Sequence, residues 1–188
     1  MKVLVSYASK LGHTHKIASH VANLISNDGH QAVLLDCART AQDTDLGAFH
    51  AVVVLSAVYK LEHHEKVIQF ILRHGEALKR LPTAMISISL SVALDEGYDD
   101  AMGYAEILAS TTRWRPSLTL LLGGGICIDH RDQVNPKIIE GVVAASAPTS
   151  TRMYEFTDWE FLESFVRSFM RLEFIGSPAQ SQLMAASR

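Results

Sequence analysis

Three observations predict an α/β domain in which a doubly wound parallel sheet carries helices on both faces. Short strand-forming runs alternate with stretches of helical apolar spacing along most of the chain. The runs are continuously apolar instead of alternating, the pattern of strands buried on both faces. With 188 residues, 48% of them hydrophobic, the chain can fill one core and has little left for a second.

The first strand is residues 2–7, closed by the turn formers of 9–12. Ile17, Val21, Leu24 and Ile25 then recur at helical spacing, and Asn27, Asp28 and Gly29 supply the stop. Strands follow at 31–36 and 51–56. A helical stripe through Val67, Ile71 and Leu78 ends before Pro82. Residues 83–90 form the fourth strand, Tyr98, Ala101, Ala105 and Leu108 the next helical stripe, and 117–122 the fifth strand. Gly123, Gly124 and Gly125 read as a flexible strand exit. Pro136 opens a helical pattern through Ile138, Ile139, Val142 and Val143, which Gly141 weakens. Thr157 and Glu160 have the spacing of a capping box, and Leu162, Phe165, Phe169 and Leu172 line the helix that follows. The domain is expected to end at residue 175. Residues 176–188, rich in Ser, Ala and Gln, are expected to be a mobile tail.

Composition removes several classes of function. Seventeen basic against 20 acidic side chains give no field for nucleic acid. Cys37 and Cys127 form no CxxC pair, so neither a disulfide framework nor a thiolate zinc site is indicated. No apolar run approaches the roughly 20 residues of a membrane span, and no signal-peptide pattern is present, which points to the cytoplasm. The nine histidines invite a metal reading. The adjacent pair His63 and His64 argues against it, because neighbours diverge in a helix and face opposite ways in a strand. No GxSxG elbow supports a serine hydrolase.

In doubly wound sheets ligands sit at the carboxyl ends of the strands, which directs attention to the loops after Tyr7, Ser56 and Leu90. The first loop holds Ser9, Lys10, Leu11, Gly12, His13 and Thr14 and leads into a helix, whose free amides and dipole favour a phosphate. Ser9 and Thr14 can donate hydroxyl hydrogen bonds, Gly12 permits positive φ, and Lys10 and His13 add positive charge if they turn inward. An ordinary βα turn with a hydroxyl cap is the competing reading. The loop is neither GxxxxGK[ST] nor GxGxxG, so ATP hydrolysis and standard NAD binding are disfavoured.

The order of elements and the spacing of Ser9, Gly12 and Thr14 resemble the flavodoxin-like family. That resemblance implies five parallel strands in the order 2-1-3-4-5 and FMN with its phosphate in the first loop. It also implies an isoalloxazine ring clasped between residues 56–63 and 89–100, with Tyr59 or Tyr98 stacking on it. The implied cofactor residues are Ser9, Lys10, Leu11, Gly12, His13, Thr14, Ala57, Val58, Tyr59, Ser89, Leu90 and Tyr98. Four further segments resemble one subgroup, the menaquinone-dependent protoporphyrinogen IX dehydrogenases: 82–84, 87–90, 114–116 and 154–160. This resemblance implies electron transfer from a porphyrinogen through FMN to a quinone, in haem synthesis. It assigns no side chain as acid or base, because the flavin itself accepts the electrons.

Two features bear on partners. Asp95, Glu96, Asp99 and Asp100, with Asp129 and Asp132, are carboxylates where a porphyrinogen's propionates would be repelled and an anionic reduced flavin disfavoured. A solvated helix start explains 95–100 most simply, whereas an acidic rim would suit a basic protein redox partner. The insert 126–150 contains an apolar segment, 138–147, too short to span a bilayer, and peripheral contact with the inner membrane is the alternative to its packing on the sheet. An electron carrier serving a protein partner and a scaffold without cofactor are the competing functions.

Overall fold

The computed structural model describes residues 1–39, 44–94, 97–127 and 153–175. The helical pattern expected after Pro136, residues 128–150 of the insert, the carboxylates at 95, 96, 129 and 132 and the tail at 176–188 lie outside the described residues. The sheet is built from β1 (Lys2–Ala8), β2 (Gln31–Asp36), β3 (Ala51–Tyr59), β5 (Thr83–Ser89) and β6 (Leu118–Gly123), all parallel, in the order β2-β1-β3-β5-β6. This is the expected doubly wound order 2-1-3-4-5. A two-residue β4 (Glu62–His63) adds an antiparallel hairpin to the end of β3.

The two-residue period of a strand explains why the runs are apolar throughout. Val3, Val5 and Tyr7 of β1 face one core while Leu4 and Ala8 face the other, and in β3 Val53 and Leu55 oppose Val52 and Val54 in the same way. The first core is closed by α1 (His13–Asn27), through Ile17, Val21 and Ile25, and by α4 (Trp159–Ile175), through Leu162, Val166 and Phe169. The second is closed by α2 (Glu65–Leu78), through Val67, Phe70 and Ile71, and by α3 (Tyr98–Thr112), through Leu108. Edge strand β2 departs from this pattern: it is half-buried, and Leu34 is exposed.

Sequence patterning ends the third strand at Ser56, but β3 continues through Tyr59 and turns back at Lys60 and Leu61. Both turn residues have positive φ, 51° and 74°. A two-residue hairpin turn of this kind usually carries Asn and Gly, so Lys and Leu gave no turn signal and the conformation is strained. Replacing the pair with Asn and Gly (K60N/L61G) is expected to raise stability by about 1–2 kcal/mol. The urea midpoint reads this, and an unchanged midpoint would show the turn to be unstrained.

The cap of α4 also differs from expectation. Thr157 does not cap it: the Asp158 carboxylate accepts from the Phe161 amide at 2.9 Å, and the Asp158 carbonyl accepts from Leu162. Thr157 is thereby free for the work described below. The paired histidines have separate structural roles. His63 is buried with Nε2 3.0 Å from Ser87 Oγ, while His64 precedes α2 and its Nδ1 accepts from the Lys66 amide at 3.2 Å.

Candidate flavin cradle at the carboxyl ends of the strands

The loop after β1 is shaped by Gly12, whose φ of 88° is one that L side chains rarely adopt. Its amide donates to Ser9 Oγ at 3.0 Å and its carbonyl accepts from the Lys16 amide. Gly12 occupies the N-cap of α1, and no side chain caps the helix. The first-turn amides of α1 therefore stand beside the hydroxyls of Ser9 and Thr14 without a side-chain acceptor, an arrangement suited to an anion.

Leu11, His13 and Thr14 from this loop, Ala57, Val58 and Tyr59 from the end of β3, and Ser89 and Leu90 from the end of β5 line one cavity. Ser9, Lys10 and Gly12 belong to the same loop. Eleven of the twelve expected cofactor residues thus lie on three neighbouring strand ends. Tyr98 is the exception: it opens α3, 59% exposed, and lines a different cavity with Met102, Trp114 and Phe161. The expectation that it stacks on the flavin ring is corrected accordingly. An exposed first residue of a helix is oriented by that helix's packing, which spacing does not reveal.

Tyr59 is held from several sides. The Lys10 ammonium lies 4.7 Å from its ring centre, and the His64 ring meets it edge-on at 6.3 Å. Burial pushes the Tyr59 phenol above its usual range, an effect partly offset by the Lys10 backbone and the Thr14 hydroxyl. The positive charge of Lys10 thus rests on an aromatic face.

His13 does not supply a second charge. Thr157 donates its hydroxyl proton to the Gly123 carbonyl at 3.0 Å, so its oxygen accepts from His13 Nε2–H at 2.9 Å. Burial lowers the His13 pKa, Glu155 opposes that, and Lys16 adds to the lowering. Burial thus disfavours the charged imidazole, against the positive charge expected of His13. Glu155 is itself engaged by Lys16 Nζ at 2.9 Å and by the Trp159 indole at 3.1 Å.

Sequence reading missed the third wall of the cavity. Gly124, Gly125 and Ile126 line it, where β7 (Gly125–Cys127) pairs with β8 (Met153–Glu155). The triple glycine is a close-approach device and not a flexible exit. A Cβ on Gly123 would stand 2.2 Å from the Phe156 carbonyl oxygen, and one on Gly125 would stand 3.0 Å from the His13 ring. The run of three glycines was the available signal, but what they pack against is remote in sequence.

The wall fits a flavin in two respects. Among the described residues, Ser89 Oγ is buried without a hydrogen-bond partner and the α1 amides have no side-chain cap. Both are polar groups awaiting a ligand with acceptors. The model of the flavodoxin domain matches residues 4–150.

The chain belongs to the flavodoxin-domain family.

FMN is the cofactor of such a domain, and the protein is a redox protein of the FMN type. Protoporphyrinogen IX dehydrogenase [quinone] of Escherichia coli strain K12 is 24% identical over 175 residues, 92% of this chain and 96% of that protein. Among solved structures, oxidised flavodoxin 1 from Bacillus cereus superposes with a TM-score of 0.52 at 15% identity, covering 91% of this chain and 98% of that one. Rubredoxin oxygen:oxidoreductase from Desulfovibrio gigas gives 0.53 at 14% identity, covering 93% of this chain but 36% of that one. At these identities both structures speak for the fold alone. Among the described residues no helix is long and apolar enough to cross a membrane.

Proposed function

We propose that this flavodoxin-domain protein is an FMN-dependent oxidoreductase that takes electrons from a porphyrinogen and delivers them to a quinone. The observation that carries this reading is the end-to-end match to a protoporphyrinogen IX dehydrogenase [quinone], spanning 96% of that relative. Bound FMN supplies electron acceptance at its own ring. The residues that would hold it are the amides of 9–14 with the hydroxyls of Ser9 and Thr14 for the phosphate, and Ala57, Val58, Tyr59, Ser89 and Leu90 for the ring. His13, oriented by Thr157 and with its charged form disfavoured by burial, would add shape to that site.

The test is porphyrin fluorescence from the FMN-loaded protein supplied with a porphyrinogen and a quinone. Turnover that stops when quinone is withheld is the expected result. A flavin that is reduced and reoxidised normally by other couples, with no porphyrin formed, would overturn the reading. Thr14→Val, nearly isosteric at a buried position, is expected to weaken FMN binding at least about tenfold by deleting one charge-assisted hydrogen bond. Flavin fluorescence titration checks it, and an unchanged Kd would place the phosphate elsewhere.

An electron carrier for a basic protein partner is the second reading. It is favoured by Asp99 and Asp100, exposed in the first turn of α3. Those carboxylates also complement the helix dipole, which explains them without a partner. Electron exchange with a flavodoxin reductase that falls steeply with added salt would support the carrier.

A further inference from the structure

A second cavity, of about 490 Å³, lies between α3, edge strand β6 and the start of α4. Its volume is that of a small-molecule site. The walls are apolar and partly aromatic: Met85, Met102 and Leu121 with Trp114, and Tyr98 and Phe161 exposed beside them. Two properties restrict what can occupy it. Arg115 is the cation among its described lining residues, and both its terminal nitrogens, Nη1 and Nη2, donate to Glu106 at 3.1 Å, so among the described residues no unpaired positive charge awaits a carboxylate or phosphate. Trp114, 1% exposed, has an indole N–H with no hydrogen-bond partner among the described residues. A neutral, flat, apolar ligand carrying a hydrogen-bond acceptor meets both conditions. The propionates of a porphyrinogen and the phosphate of FMN carry acceptors but fail the first condition, since their charge would be buried without a cation.

We propose that this cavity binds the ring of a quinone, with a ring carbonyl accepting from the Trp114 indole. The proposal rests on the quinone-linked reading above and locates its acceptor. Each two-electron oxidation of the porphyrinogen releases the two electrons and two protons that, by way of FMN, reduce one quinone to the quinol, so three quinones are consumed for each porphyrin formed. Leu90, just after β5, lines the flavin cradle, and Tyr98, at the start of α3, lines the end of this cavity nearer to it, with Trp114 before β6 at the far end.

The chain has two tryptophans, which makes the site directly readable. Trp159 belongs to a different neighbourhood, its indole donating to Glu155 with the Lys16 ammonium 4.9 Å from its ring. The full-length protein, with and without FMN, is titrated with 2-methyl-1,4-naphthoquinone while tryptophan emission is followed. Saturable quenching is expected to persist in Trp159→Phe. In that background Ala105→Phe, which fills the cavity, is expected to raise the half-saturating concentration at least tenfold, and Met102→Glu, which charges its exposed edge, to raise it likewise, with FMN affinity unchanged in both. Trp114→Phe is expected to abolish the saturable signal, and the two rim variants decide the matter if loss of that core indole unfolds the chain.

Quenching that is linear in quinone, or a half-saturation unmoved by Ala105→Phe and Met102→Glu, would overturn the site. Quinone-dependent porphyrinogen oxidation alongside that result would leave the reading of function intact. Saturable quenching from Trp114 in a protein that forms no porphyrin would do the reverse.

Discussion

Gly123→Ala is expected to cost about 3 kcal/mol or more of stability and to weaken FMN binding with it. The added Cβ would lie 2.2 Å from the Phe156 carbonyl oxygen and 2.9 Å from its carbon, and neither is a side chain able to rotate away. Relief requires moving β6 away from the segment before α4. That movement pulls on the Thr157 bond to the Gly123 carbonyl and on the Phe156 amide bond to the Gly124 carbonyl. Through Thr157 it also releases the His13 ring from its place in the cradle. Urea unfolding and an FMN titration read the two effects together. Gly75→Ala is the internal control: its Cβ would meet nothing within 4 Å inside α2, so a gain of about 0.5–1 kcal/mol is expected there. A midpoint for Gly123→Ala equal to that of the parent would refute the close approach.

The second large effect is acid destabilisation through His63. This residue is 6% exposed beneath the β3–β4 turn, and burial pushes its pKa down to about 4 from an ordinary 6.5. Between those values the unfolded chain binds a proton that the folded chain refuses. Stability is therefore full above about pH 6.5 and falls as the pH drops toward 4, by a total of ~3 kcal/mol from this one group. His13 and His64, also lowered by burial, act in the same direction, so the loss in the parent is larger than His63 alone provides. His63→Gln, which keeps a hydrogen-bonding partner for Ser87, is expected to flatten the profile between pH 6.5 and 4 relative to the parent. Equal slopes for the two proteins in urea titrations at pH 7, 6, 5 and 4.5 would show that His63 titrates normally.

The sheet was legible in the sequence because both its faces are buried. Residues 3–5 and 51–55, within the expected strands 2–7 and 51–56, needed apolar side chains in both directions, which leaves unbroken runs too short for a helix. Gly12 was legible for a local reason, since a loop leading from a strand into a helix places positive φ at a single residue. The hairpin at Lys60 and Leu61 was not legible. Its conformation is imposed by the pairing of Val58 with His63, against the preference of the turn residues themselves.

Residues 9–14 and the ends of the third and fourth predicted strands were therefore determined by the sequence alone, because strand order and crossover direction bring such ends together whatever the details of packing. The tertiary structure decided what those ends face. Thr157 carries the spacing of a helix cap yet holds His13, 144 residues away, and the three glycines that look flexible are the ones against which Phe156 and His13 close. Tyr98 carries an aromatic ring at the expected loop, yet helix packing assigns it to the neighbouring cavity. Local propensity fixes where a chain turns and which face it buries. The partner across a contact depends on closing the whole fold, and no window of sequence contains that information.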